Sequence, residues 1–237
     1  MKKIILALDV NDHAKALEIV EKFSEHIDVF KVGLELFSSA GPQVVKDIHD
    51  RGKKVFLDLK FHDIPNTVSG AALAATRLGV YMFNVHTSSG IDAMKRCSDD
   101  VIELCLKENI ERPKIIGVTV LTSLSQEILR DEFGIQHSLR THVKNLSKMA
   151  LKAGLDGVVA SGQEASMIRK HCGNDFLIIT PGIRTSWAPP DDQKRTMTPK
   201  DAIREGADFL VVGRSILKQA DAEKALDLIQ LEILTSL

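Results

Sequence analysis

The chain has 237 residues, with 31 Lys and Arg against 32 Asp and Glu and a net charge of -1. Both signs are interspersed, so there is no electrostatic footprint for nucleic acid or for a membrane surface. A 44% hydrophobic content can bury a large core, and no apolar run approaches the roughly 20 residues of a spanning helix.

Apolar runs of strand length alternate with helix-like stretches from end to end. The first strand is Ile4-Ile5-Leu6-Ala7-Leu8-Asp9, followed by a helix over 12–26 with Ala16, Ile19, Val20 and Phe23 at helical spacing. A first strand this early leaves too little room for a signal peptide, so a cytoplasmic protein is expected. Asp28-Val29-Phe30-Lys31-Val32-Gly33 forms the second strand, with its helix over 42–50. The third strand, 54–60, is followed by a helix through Leu73 and Leu78, and the fourth, 82–86, by a long helix over about 92–107. Cys97 and Cys105 fall on that helix; with Cys172 they make an odd count without ligand spacing, which argues against a disulfide framework.

Strand five covers 115–120. The connection after it is long, with a short helix and a break at Gly134 before a main helix over 143–153. Strands six, seven and eight are 157–160, 176–180 and 209–213, closed by a helix through Ala225 and Ile229. Strands this uniformly apolar belong to a parallel sheet covered on both faces. Eight strand-helix units favour a closed (β/α)8 barrel, a single α/β domain, over an open doubly wound sheet. No Gly-x-Gly-x-x-Gly follows the first strand, which weakens a dinucleotide-binding reading. The connection over 184–200 holds Trp187, Pro189, Pro190, Asp191, Asp192 and Gln193 without helical period, and is expected to be a lid.

In such barrels the active site lies at the C-terminal ends of the strands. Asp9, Lys31, Asp58 and Lys60 gather there on the first three strands, with Asp63 in the turn beyond. Asn84 and His86 end the fourth strand, Thr122 and Ser123 follow the fifth, and Arg184 and Arg214 follow the last two. The loops after strands seven and eight are the usual phosphate position of the fold. Gly213 lets the backbone approach an anion and Arg214 adds a charged fork, so a phosphorylated metabolite is the expected ligand.

The charged half admits three readings. Carboxylates at hydrogen-bonding range would keep Lys60 an ammonium, which disfavours a Schiff-base lysine. A magnesium site would draw on Asp58, Asp63, Asp9 and Glu35, for which Lys31 and Lys60 compete. A purely structural ion-pair network is a poor stabiliser, because desolvation offsets attraction. What remains is an alternating Lys-Asp-Lys-Asp array with a proton donor beside a carboxylate. That array suits loss of CO2 from a substrate carboxylate near Asp58, with Lys60 protonating the carbanion left behind.

The stretch Asp58-Leu59-Lys60-Phe61-His62-Asp63-Ile64-Pro65-Asn66-Thr67 resembles the D-x-K-x-x-D-I-P-N-T signature of the orotidine 5'-phosphate decarboxylase family, in its short bacterial form. The resemblance continues in Ala7-Leu8-Asp9, Phe30-Lys31-Val32-Gly33, Val118 to Ser123, Thr180 to Arg184, Asp192-Gln193-Lys194-Arg195 and Gly213-Arg214-Ser215. It departs at Thr87-Ser88-Ser89, where Ala and a second Gly are more usual, and at Pro189-Pro190.

The resemblance implies cofactor-free, metal-free decarboxylation of orotidine 5'-phosphate to UMP, in pyrimidine synthesis. It implies Lys60 as proton donor, with Lys31, Asp58 and Asp63 completing the array. Asp9 and Lys31 would hold the ribose, Thr122 or Ser125 the pyrimidine edge, and Gln193, Gly213 and Arg214 the phosphate, with Arg184 nearby. It also implies a homodimer in which Asp63, Ile64 and Thr67 enter the neighbouring subunit's site. The alternatives are a magnesium-dependent phosphosugar decarboxylase of the 3-keto-gulonate 6-phosphate type and a non-catalytic nucleotide-binding barrel. His62 is left out of the chemistry, and His86 is expected to make a structural hydrogen bond.

Overall fold

The computed structural model describes residues 3–185 and 195–235. Eight parallel strands, β1 (Ile4–Ala7), β2 (Val29–Gly33), β3 (Lys54–Phe61), β4 (Met82–His86), β5 (Lys114–Val118), β6 (Gly157–Val159), β7 (Leu177–Thr180) and β8 (Phe209–Val212), follow one another around a closed barrel. Closure is made by β1 against β8, with Ile5 opposite Val211. The expected (β/α)8 architecture is therefore the one observed.

Each strand is buried on both faces, and alternation sorts its side chains into two cores. Ile5, Val29, Phe56, Met82, Ile116, Ile179 and Phe209 fill the barrel interior. Their neighbours Leu6, Phe30, Leu57, Phe83, Ile115, Ile178 and Leu210 point outward and pack under the helices. Adding two to each interior position climbs the barrel axis toward the C-terminal mouth. The climb passes through Ala7, Lys31, Asp58, Asn84, Val118 and Val211, so the interior turns from apolar to charged within one step.

The helices cover the outer face. Helix α1 (His13–Phe23) starts at Asp12, whose side chain accepts the Lys15 N–H at 2.7 Å, and buries Ala16, Ile19, Val20 and Phe23 as its period requires. The second connection differs from expectation, since α2 (Leu34–Ala40) precedes α3 (Gln43–His49). Gly41, at φ 67°, separates them, a backbone region that favours glycine. Helices α4 (Pro65–Arg77) and α5 (Ile91–Glu108) follow, and β5 stops at Val118, two residues earlier than its apolar run. The long fifth connection contains α6 (Gln126–Asp131), the turn at Gly134 and α7 (Leu139–Lys152), which begins earlier than predicted because Ser138 caps it.

Helix α8 (Gly162–Cys172) is capped by Ser161, and α9 (Pro199–Arg204) by Thr198. Helix α9 lies at the end of the connection read as irregular from sequence. Helices α10 (Arg214–Leu217) and α11 (Ala222–Leu234) complete the circuit. Among the described residues, no helix is long and apolar enough to cross a membrane.

Candidate active site

The polar layer at the barrel mouth opens into a cavity of about 260 Å³. Its floor is Phe56, one wall carries Asp9, Lys31, Asp58 and Lys60, and the opposite wall carries Thr122 and Ser123 after β5. Pro181, Gly182 and Ile183 after β7 close one side together with Gly213, Arg214 and Ser215 after β8.

The charged wall is a chain of ion pairs. Lys31 Nζ lies 2.8 Å from Asp9 Oδ1 and 3.5 Å from Asp58 Oδ2. Lys60 Nζ lies 2.8 Å from Asp58 Oδ1. Asp58 therefore sits between two ammonium groups that approach its two oxygens. Burial alone would lower the Lys31 pKa, but the Asp58 and Asp9 carboxylates outweigh it and raise the ammonium above the ordinary lysine value. The array is thus an alternation of opposite charges, with Lys31 and Asp58 its most buried members.

Lys60 reaches this position through an irregularity that its sequence does not announce. Its φ is 53°, left-handed for a residue with a β-carbon, and the β3–β4 register shifts between Leu57 and Phe61. At this bulge the Lys60 N–H donates to Asn84 Oδ1 at 2.7 Å instead of to a backbone carbonyl, while Asn84 Nδ2 donates to Asp58 Oδ1 at 2.7 Å. Asn84 has no role assigned from its place at the end of a strand. The signal was its parity with interior Met82.

The phosphate-side residues are equally constrained. A β-carbon on Gly213 would meet Ala7 Cβ at 3.1 Å and Asp9 Oδ2 at 3.2 Å, so a larger residue would press on the charged wall. Ser215 Oγ donates to the Ile183 carbonyl at 3.0 Å and ties the turn after β8 to the loop after β7. Arg184 stands outside the cavity lining, in a short parallel pairing in which its N–H donates to the Met197 carbonyl. Gln193 and Trp187 lie outside the described residues, as do the other residues of 186–194.

Three expected residues turn away from the cavity. Asp63, Ile64 and Thr67 are exposed, with Ile64 at 67%. The Asp63 carboxylate accepts the Ile64 N–H at 2.6 Å, in the turn that leads to Pro65 at the start of α4. Ser125 caps α6, its Oγ accepting the Ile128 N–H at 3.4 Å, whereas Thr122 and Ser123 line the cavity.

Arg195, unassigned from sequence although it ends a quoted stretch, is buried. Its Nη1 lies 2.9 Å from Glu164 Oε2, and its Nη2 donates to the carbonyls of Val120 and Leu121. It links the end of the seventh connection to the loop that carries Thr122. Burial pushes the Glu164 carboxyl up, opposed by this guanidinium.

His86 packs against His62 with ring centroids 5.1 Å apart and the rings tilted by 42°. Desolvation, His62 and Lys60 together lower its pKa from 6.5 to about 4, so it is neutral at pH 7 and not a cationic acid. The unfolded chain takes up this proton near 6.5 and the fold only near 4, so stability declines on acidification across that window and then levels off. The contribution lost is on the order of 1–2 kcal/mol after allowance for partial exposure. Urea midpoints measured from pH 7 to 4 should show the decline, and His86→Gln should flatten it. The neighbouring departure from the family pattern is locally satisfied, since Thr87 Oγ1 donates to the Val118 carbonyl at 2.8 Å and Ser89 Oγ to the His86 carbonyl at 2.6 Å.

Among the described residues, no group of three or more His, Cys, Asp or Glu side chains is arranged to hold a metal ion. Of the carboxylates that a magnesium site would draw on, Asp9 and Asp58 are engaged by Lys31 and Lys60.

Comparison with known proteins places the whole chain in one family. A protein from Pelobacter propionicus named orotidine 5'-phosphate decarboxylase is 48% identical over 232 residues, covering 98% of this chain and 95% of its own. One of the same name from Trichlorobacter lovleyi is 50% identical over 232 residues, with the same coverage of each chain. A solved structure of orotidine 5'-phosphate decarboxylase from Lactobacillus acidophilus superimposes with a TM-score of 0.85 at 37% identity, covering 98% of this chain and 99% of that one. The sequence profile described as orotidine 5'-phosphate decarboxylase / HUMPS family matches residues 2–229. With that match, and with relatives this similar over nearly their whole length, the chain belongs to the orotidine 5'-phosphate decarboxylase / HUMPS family.

Proposed function

We infer that this chain decarboxylates orotidine 5'-phosphate to UMP, a step of pyrimidine biosynthesis, with Lys60 as the proton donor. The observation that carries the reading is the Lys31–Asp58–Lys60 alternation at the mouth of the barrel, with each ammonium within 3.5 Å of the same carboxylate. The bond from C6 to the substrate carboxyl breaks, its electron pair stays on C6, CO2 leaves, and Lys60 delivers a proton to that carbon. Lys60 then regains a proton from water. Lys31 and Lys60 oppose the negative charge that develops on the ring, and because they are already in place no reorganisation is needed at the moment of reaction. Asp58 faces the leaving carboxylate and is a third group of the array.

Around this centre, Asp9 and Lys31 take the ribose hydroxyls and Thr122 takes the pyrimidine edge. Gly213 and Arg214 grip the phosphate, with Arg184 nearby. Gln193, outside the described residues, joins that grip in this reading. Asp63, Ile64 and Thr67 serve the site of a second copy of the chain, a reading supported by an exposed apolar Ile64 and by an Asp63 turned from its own cavity. The active form is then a homodimer of the cytoplasm with two shared sites.

Purified protein mixed with orotidine 5'-phosphate in excess EDTA should lose the orotate-ring absorbance and yield UMP. Loss of turnover on chelation would instead favour a magnesium-dependent phosphosugar decarboxylase of the same barrel family. Tight UMP binding without turnover would favour a nucleotide-binding barrel.

A further inference from the structure

We propose that Asn84 is a positioning residue for the decarboxylation: its one amide sets both the Asp58 carboxylate and the backbone from which Lys60 projects. The proposal rests on the reading of Lys60 and Asp58 given above. Asn84 is fully buried and does not line the cavity, so it acts through its two partners. Its position is one alternation step above the apolar Met82, where a hydrophobic side chain would fill the barrel at lower desolvation cost.

The chemistry of the two contacts explains why an amide is present. Lys60 N–H is an obligate donor, removed from the regular ladder by the bulge, and needs an acceptor; Asn84 Oδ1 supplies it at 2.7 Å. Asp58 is acceptor-only when ionised, and Asn84 Nδ2 donates to its Oδ1 at 2.7 Å. Among side chains of this length only an amide offers a donor and an acceptor on a single rigid plane without having to take up a proton. Asp58 Oδ1 is also the oxygen that receives Lys60 Nζ at 2.8 Å. Asn84 therefore closes a ring that runs from the Lys60 backbone through its own amide to the Asp58 carboxylate and back along the Lys60 side chain. In that ring the left-handed φ of Lys60 and the direction of its ammonium are set together. The titratable groups around Asn84 are Asp58 and Lys60 on β3, Lys31 on β2 through Asp58, and His86 with its neighbour His62. Its register partner on β5 is the uncharged Ile116.

Asn84→Asp separates positioning from mere satisfaction of the bulge. The substituted side chain still accepts from Lys60 N–H, but when ionised it faces Asp58 Oδ1 with a second carboxylate oxygen. Two carboxylates at that distance share a proton, which restores the donor at low pH and is lost as pH rises. The expected result is near-parental kcat, within about tenfold, at the acid end. At the alkaline end kcat should fall by about 10²-fold or more, the scale of an ångström-sized misplacement. That alkaline limb should lie at lower pH than any limb of the parent enzyme, with KM changed only a few-fold. A loss independent of pH, or parental kcat across the whole range, would overturn the proposal. A crystal structure of Asn84→Leu reads positioning without turnover, and Asp58 or the Lys60 backbone should be displaced; both unmoved would equally overturn it. The parent's own turnover is the separate check on the reaction, because inactive parent protein refutes that reading whatever the variants do.

Discussion

Lys60→Ala is expected to reduce kcat by at least about 10⁴-fold, beyond the usual range for loss of a general acid alone, because the same group also opposes the charge that develops on carbon. The fold should survive. Lys60 projects into the open cavity, and alanine carries the same β-carbon into the left-handed backbone, so no new strain is introduced at φ 53°. Asp58 keeps Lys31 and the Asn84 amide as partners after the substitution. A thermal midpoint within a few degrees of the parent's, together with loss of UMP formation in a stopped assay, is the combined result to look for. Near-normal kcat in a folded Lys60→Ala protein would remove Lys60 from the acid role.

Arg214→Ala should lower kcat/KM for orotidine 5'-phosphate by roughly 10²-fold or more, the scale of losing a charge-assisted contact to phosphate. Arg214 lines the side of the cavity formed after β7 and β8, where the phosphate is proposed to sit. Its effect at the reacting carbon is therefore indirect, through binding energy used to hold the pyrimidine against Asp58 and Lys60. The phosphate-free nucleoside distinguishes this from damage to the site. Parent and variant should turn it over at similar, low efficiency, since the contact deleted has no partner there. If the parent handled nucleoside and nucleotide equally well, the phosphate grip would contribute nothing to the chemistry.

Much of the architecture was legible because it rests on local pattern. The eight strands were readable as apolar runs, for instance Phe209 to Val212, since strands covered on both faces exclude polar residues everywhere except at their ends. Errors fell where a short-range signal competed with packing. Val120 continues the apolar run of β5, yet the strand stops at Val118, and Val120 is buried in the loop where its carbonyl accepts from Arg195. The helix at 34–40 was missed, because seven residues with a single buried position, Leu36, carry almost no period. Ser125, which the resemblance offers beside Thr122 for the pyrimidine edge, also caps α6, a use that depends on where that helix begins.

At the site, the sequence by itself determined which side chains carry the charge and which strand ends they occupy. Asp9, Lys31, Asp58 and Lys60 stand toward or just past the C-terminal ends of their strands, and alternation directs Lys31 and Asp58 inward. Only the tertiary structure decided who pairs with whom. Lys31 reaches across two strands to Asp9 and Asp58, Asp63 turns outward to accept its neighbour's N–H, and Asn84 becomes the hinge of the array. The physical reason is that alternation is a property of one strand, whereas the β3 bulge and the Asn84 bridge exist only where β3 meets β4 in a shifted register.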